Sequence, residues 1–105
     1  MTRTEDEAMA TYLGLFKFTQ KGAETIKEGP SRIDRARELS KSLGGELKEV
    51  YLAMGQYDLV ALIEAPNDEV VAKVLLATAQ RGTVSTQTIR LFSEGEYRKM
   101  VAELP

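Results

Sequence analysis

Residues 54–60 read MGQYDLV and join two runs of strand-forming side chains, residues 47–54 and 57–65. Only Gly55-Gln56 separates the runs, and such a short connection is typical of an antiparallel hairpin in which glycine supplies positive φ. The residue that follows the turn, Asp58, is of a type that is uncommon in strands. We therefore predict a β-hairpin here and expect the carboxylate to have a specific role.

Strand and helix signals alternate on either side of this hairpin. Aromatic side chains over residues 12–19 indicate a first strand, and β-branched side chains over residues 83–92 indicate a fourth. Apolar residues at three- to four-residue spacing indicate a helix over residues 31–43, which ends at a glycine pair where a left-handed cap is favourable. The same spacing indicates a second helix over residues 67–81, with Asn67 as its N-cap.

A capping-box pattern, Ser93 followed by Glu96, predicts a short C-terminal helix, which we expect to dock on the domain. The resulting order β-α-β-β-α-β is that of the ferredoxin-like split βαβ motif. We therefore predict an α+β fold with a four-stranded antiparallel sheet and both longer helices on one face.

The chain of 105 residues suits a single domain, which we assign to residues 11–105. Residues 1–10 are polar and acidic before any periodic pattern begins, so we predict a disordered or weakly ordered N-terminal segment there. That segment lacks the apolar core of a secretory signal, and no apolar run in the chain reaches membrane-spanning length. We expect a cytoplasmic protein with no membrane partner.

The third strand has apolar side chains at five successive positions, residues 59–63. An antiparallel sheet with one solvated face should alternate instead, so both faces of this sheet are expected to be buried. Two helices cover one face only. The second face therefore needs either the terminal helix or another copy of the chain, and a homodimer or higher homo-oligomer is the simpler solution.

The composition excludes several kinds of site. Without histidine or cysteine, the chain cannot build a Ser-His-Asp or Cys-His nucleophile or a typical zinc site, and its acidic residues lack the spacing of a calcium loop. No glycine-rich loop leads into a helix, so we predict neither a nucleotide cofactor nor any other. The net charge of −2, with the two signs interspersed, gives no basic surface for nucleic acid.

Three segments resemble the GYD domain family: Gly55-x-Tyr57-Asp58 within residues 51–61, the run EAPNDE at residues 64–69, and GTVSTQT at residues 82–88. The similarity extends over about residues 11–102 and implies a ferredoxin-like dimeric α/β-barrel. The first and third segments are also similar to the effector domain of the leucine-responsive, feast/famine regulators. That wider resemblance implies amino-acid binding between subunits. With ten residues before the first strand, we expect no helix-turn-helix and no role on DNA.

Six residues are candidates for ligand binding: Gly55, Tyr57, Asp58, Thr86, Thr88 and Arg90. Each also has a structural explanation. Gly55 suits the turn, and Tyr57 suits an interface. Asp58 could accept backbone N–H groups of the turn or pair with Arg90. Thr86 and Thr88 lie on one strand face, where threonine pairs stabilise sheets.

These observations leave three functional hypotheses open. The first is a non-enzymatic, homo-oligomeric domain that binds a small metabolite, such as an amino acid or amine, through these residues; we assign no catalytic and no metal-binding residue. The second is a cofactor-free enzyme like the monooxygenases and isomerases that share the dimeric barrel, with Tyr51, Tyr57, Asp58 and Arg90 as its acid, base or anion-stabilising groups. The third is a structural or partner-binding module without a pocket.

Overall fold

The structure is a computed structural model that describes residues 9–105. Strand signals of the sequence correspond to β1 (Ala10–Phe18), β2 (Glu46–Leu52), β3 (Leu59–Ala65) and β4 (Val84–Leu91). The helices are α1 (Gln20–Glu24), α2 (Gly29–Ser42), α3 (Asp68–Ala79) and α4 (Glu94–Ala102), with a 3₁₀ turn at Ile26–Glu28. The predicted N-terminal segment lies, up to residue 8, outside the described residues.

The four strands form one antiparallel sheet in the order β2-β3-β1-β4. The central strand β1 pairs Gly14 with Ala61 of β3 on one side and with Thr88 of β4 on the other. Helices α2 and α3 pack against the same face of this sheet, and the buried core between the layers includes Tyr12, Ala61 and Ile63. The predicted α+β, ferredoxin-like fold is confirmed.

The stretch between β1 and α2 is more ordered than the polar sequence suggested. Thr19 caps α1 by accepting a hydrogen bond from the Gly22 backbone N–H at 3.2 Å. Gly22 is buried against Thr83, where an added Cβ would lie 2.0 Å from the Thr83 carbonyl oxygen, so the close approach requires glycine. The prediction that α2 begins at Ser31 was wrong by two residues, because Pro30 lies inside the first turn, where its missing N–H has no cost.

The connection between β2 and β3 is longer than the predicted two-residue turn. β2 ends at Leu52 and β3 begins at Leu59, and the loop is closed by a 2.8 Å hydrogen bond from the Ala53 N–H to the Asp58 carbonyl oxygen. Gly55 lies at the exposed loop with a φ of 126°, which confirms its predicted left-handed conformation. The predicted antiparallel β2–β3 hairpin is confirmed, but its two-residue turn was wrong, because residues 53–58 form the connection and the Asp58 side chain bonds to the Phe18 N–H of β1.

The terminal helix α4 has both bonds of the predicted capping box. The Glu96 N–H donates to Ser93 Oγ at 3.0 Å, and the Ser93 N–H donates to Glu96 Oε1 at 2.8 Å. The latter bond lowers the pKa of the Glu96 carboxyl. Every residue of α4 is exposed, however, so the prediction that this helix docks on its own chain was wrong.

Among the described residues, no helix combines the length and the apolar character that crossing a lipid bilayer requires.

Candidate functional site

Asp58 fastens the β2–β3 loop to the end of β1. Its carboxylate accepts a hydrogen bond from the Phe18 backbone N–H at 2.8 Å, and its own N–H donates to the Phe16 carbonyl oxygen at 2.8 Å. Of the two structural explanations, backbone hydrogen bonding applies, although the N–H group belongs to β1 and not to the turn. Arg90 bonds elsewhere, as described below.

Tyr57 lies on the sheet face that the helices leave uncovered. Its hydroxyl donates to the side-chain oxygen of Gln87. The ammonium of Lys17 lies 5.6 Å from the centre of the Tyr57 ring, a distance at which a cation and an aromatic face attract each other. Gly55 lies nearby in sequence at the loop, where no other atom is within 4 Å of an added Cβ.

Thr86, Thr88 and Arg90 point to the opposite, helix-covered face, since they share the strand alternation of β4 and pair with Phe16, Gly14 and Tyr12 of β1. Thr88 Oγ1 is buried and has no hydrogen-bond partner among the residues that the structure describes. A buried hydroxyl without a partner is uncommon, and it is satisfied in most proteins by water or a ligand.

A polar cluster at one end of the helix-covered face was missed by the sequence reasoning. The Tyr12 hydroxyl donates to Asp68 in the first turn of α3. The Arg90 guanidinium lies 5.6 Å from the Tyr12 ring centre and 4.3 Å from that of Phe92. It also donates to the Thr11 carbonyl oxygen at 3.4 Å and to that of Leu91.

Burial, reinforced by the Asp68 carboxylate, raises the pKa of Tyr12 to about 12, while Arg90 acts in the opposite direction. The hydroxyl therefore remains protonated at neutral pH and acts as a hydrogen-bond donor, not as a base. In the sequence, Tyr12 belongs to the aromatic run of the first strand and Asp68 is an acidic residue at the start of a helix. Only the register of β1 and the docking of α3 bring them together.

The six candidate residues thus occupy different places. Tyr57 is on the uncovered face, Asp58 holds the loop to β1, and the remaining β4 side chains are under the helices. Their ligand-binding role stays a prediction. Across residues 9–105, no group of three acidic side chains is placed to hold a metal ion.

The uncovered face of the sheet is a further functional candidate. Its centre is apolar: Leu13 of β1 pairs with Leu62 on one side and Ile89 on the other, and Leu15 pairs with Val60. All of these side chains are partly exposed, and Ile89 reaches 39%. Polar side chains lie on the same face around much of this centre, while Tyr51 and Leu91 extend the apolar surface onto the outer strands; the polar residues are Thr11, Lys17, Glu49, Glu64, Ser85 and Gln87. An apolar centre with a polar rim is the arrangement of a protein interface.

Comparison with known protein families agrees with the fold and with the resemblance of the three sequence segments. The model of the GYD domain matches residues 12–101. The chain belongs to the GYD domain family. It is also 37% identical, over 82 residues, to the glutamine synthetase and cystathionine beta-lyase binding protein of Thermus thermophilus. The match covers 77% of this chain and 86% of that relative.

Solved structures with the same fold include a feast or famine regulatory protein from M. tuberculosis complexed with L-methionine. That structure aligns with a TM-score of 0.65 at 11% identity, over 89% of this chain and 58% of the regulator. The chain therefore corresponds to little more than half of the regulator's length. A cofactor-independent oxygenase from Streptomyces nogalater aligns with a TM-score of 0.51 at 15% identity, over 83% of this chain and 94% of the oxygenase. At such identities the likeness concerns the fold alone.

Proposed function

We propose that this GYD domain is a cytoplasmic, non-enzymatic homodimer that works by binding another protein, with the uncovered sheet face closed by a second copy of the chain. The observation that carries this proposal is the apolar centre formed by Leu13, Leu15, Val60, Leu62 and Ile89.

A second copy suits this face because the surface is self-complementary. In a twofold dimer the same patch contributes both sides, so the apolar centres meet each other and the polar rims remain near water. Obligate homodimers bury roughly 2,000 Å² or more in total, so the proposal requires most of this face of the four-stranded sheet to be covered. The exposed apolar side chains of α4, among them Tyr97 and Met100, give each copy a further surface for the same contact.

The non-enzymatic part of the proposal rests on the separation of the possible catalytic groups. Tyr51 donates to Glu49, Tyr57 donates to Gln87, and Asp58 accepts from the Phe18 backbone, so each has its own partner in a different place. Acid-base catalysis needs such groups within hydrogen-bond reach of one substrate.

Binding to a metabolic enzyme is suggested by the Thermus relative, whose name states two such partners. The test uses purified glutamine synthetase and cystathionine beta-lyase from the organism of this chain, each immobilised in turn for biolayer interferometry. We expect saturable binding of the dimer to at least one enzyme. If neither enzyme binds at 100-fold the concentration at which the dimer is complete, the partner class is rejected but the dimer is not. A concentration range of about two decades is wide enough to reveal a weak physiological interaction.

Small-metabolite binding is the second candidate, and the unpartnered hydroxyl of Thr88 favours it. Amino acids and amines are screened for stabilisation of the native chain, where a ligand at a hundredfold excess over its Kd should contribute about 2.7 kcal/mol. Thr88→Val should remove the effect if the unpartnered hydroxyl holds the ligand, and Asp58→Asn should remove it if the carboxylate at the loop does. A broad screen without any stabiliser would reject this candidate.

A further inference from the structure

A cavity separates helices α2 and α3 from the sheet, and none of the six candidate residues lines it. Its volume is about 100 Å³. The floor consists of Phe16, Val50 and Leu59, and the walls include Ile33 of α2 and Ala77 of α3. Because an apolar cavity of roughly 150 Å³ in another protein stays dry and takes up benzene, a space of this kind suits a hydrocarbon better than water.

The mouth of the cavity is basic. Arg32 and Arg35 of α2 and Arg81 after α3 line both the cavity and the open polar depression outside it, which Lys21 also lines. Among the residues that the structure describes, these four cations face a single carboxylate, that of Glu28. The excess of positive charge is local, since the whole chain has a net charge of −2.

The guanidinium groups at the mouth differ in how far they are already engaged. Arg32 is held by Glu28 at 3.5 Å and by the Thr25 hydroxyl, and its side chain is only 19% exposed. Within residues 9–105, the guanidinium of Arg35 bonds only to Ser31 of its own helix, at 3.4 Å. Arg81 forms no ion pair with any carboxylate in the described part of the chain, although its carbonyl oxygen accepts from Lys21. Arg35 and Arg81 are therefore available to an incoming anion.

We propose that this cavity binds a small organic carboxylate whose apolar body, a short alkyl chain or one aromatic ring, enters between α2, α3 and the sheet while the carboxylate is held by Arg35 and Arg81. A guanidinium offers two parallel N–H donors that match the two oxygens of a carboxylate. Burial of the apolar body supplies the second part of the affinity.

This ligand class differs from amino acids and amines. An α-ammonium group beside the carboxylate would lie among the four cations of the mouth and be repelled. The cavity should therefore prefer hexanoate to norleucine, which has the same chain with an added ammonium. The inference is independent of the proposed dimer, because the cavity lies on the opposite side of the sheet from the uncovered face.

The test measures binding by isothermal titration calorimetry and by backbone amide shifts in two-dimensional NMR spectra of the whole chain. The probes are hexanoate, acetate, hexan-1-ol and norleucine. We expect hexanoate to bind at least about tenfold more tightly than each of the other three probes. One charge-assisted hydrogen-bond pair, or the burial of a few methylene groups, contributes a factor of about this size. The amide shifts should be confined to α2, α3 and the adjoining strands.

Two variants separate the parts of the site. The double variant Arg35→Gln/Arg81→Gln should weaken hexanoate binding about tenfold and leave hexan-1-ol binding unchanged. Arg98→Gln is its control, because Arg98 lies in exposed α4 and pairs only with Glu94. Ala77→Leu fills the cavity and should abolish hexanoate binding, whereas Ala72→Leu makes the same change on the exposed side of α3 and should not.

Equal binding of acetate and hexanoate would mean a surface anion contact and would overturn the cavity site. Equal binding of hexan-1-ol and hexanoate would overturn the role of the arginines. Tighter binding of norleucine, or hexanoate binding that survives Ala77→Leu in a folded chain, would likewise contradict the proposal.

Discussion

The carboxylate of Asp58 accepts the backbone N–H of Phe18 at 2.8 Å, and this bond joins the β2–β3 loop to the last residue of β1. We expect Asp58→Ala to destabilise the fold by about 1–2 kcal/mol, because a partly buried N–H loses its acceptor. Asp58→Asn keeps an acceptor oxygen and should cost less than about half of that. Urea denaturation of the two variants measures the difference.

Asp34→Ala is the matched control for this prediction. Asp34 is exposed and its contact to Arg37 is 4.0 Å long, so its loss should change the unfolding free energy by less than about 0.5 kcal/mol. If Asp58→Ala were as mild as Asp34→Ala, the bond to Phe18 would contribute nothing to the fold.

The Tyr12–Asp68 hydrogen bond predicts a response to alkaline pH. Since the folded chain raises the pKa of Tyr12 from 10.0 to about 12, the stabilisation is fully present below pH 10 and is lost as the pH rises through 12. Tyr12→Phe should cost about 1 kcal/mol at pH 7, and the difference from the native chain should shrink between pH 10 and 12.

The measurement is the unfolding free energy of the native chain and of the Tyr12→Phe variant at several pH values. Tyr97→Phe serves as the control, because Tyr97 is 62% exposed. A pH-independent difference between Tyr12→Phe and the native chain would show that Tyr12 does not titrate as described.

The capping box of α4 is expected to act locally. Ser93→Ala removes the acceptor for the Glu96 N–H and should lower the opening free energy of α4 by about 1 kcal/mol. Because α4 makes no buried contact within its own chain, global unfolding should change much less. Amide hydrogen exchange resolves the two effects. Faster exchange in β1 as well as in α4 would mean that the helix supports the whole fold.

Short-range signals predicted most of the fold. The strands, the N-cap at Asn67, the left-handed conformation of Gly55 and the capping box at Ser93 depend on neighbours in sequence, and all are present. The failures have long-range causes. α1 was missed because its sequence pattern is only weakly helical, and the contact that favours it joins Gly22 to the distant residue Thr83.

The site was less predictable than the fold for the same reason. Sequence identified Asp58 as unusual, but the Phe18 N–H that occupies its carboxylate comes from 40 residues away. The basic mouth likewise combines side chains from three separate segments, Lys21, Arg32 with Arg35, and Arg81. None of these segments is basic enough alone to attract attention.

Leu62→Lys tests which surface forms the dimer. Leu62 lies at the centre of the uncovered face, so the substitution should place a charge opposite its own copy and weaken association by about 3–5 kcal/mol. Leu76 of α3 is 70% exposed, and Leu76→Lys should leave association unchanged. Sedimentation velocity compares the two, with circular dichroism as the check on folding. Dissociation by Leu76→Lys and not by Leu62→Lys would move the interface to the helical layer.

Sedimentation equilibrium of the native chain at micromolar concentration is the most direct test of the homodimer. The structure leaves an apolar sheet face and an apolar helix uncovered in each 11.6 kDa chain, so we expect a single species with twice that mass. A species of 11.6 kDa that shows no concentration dependence would contradict the dimer and the function proposed for this face.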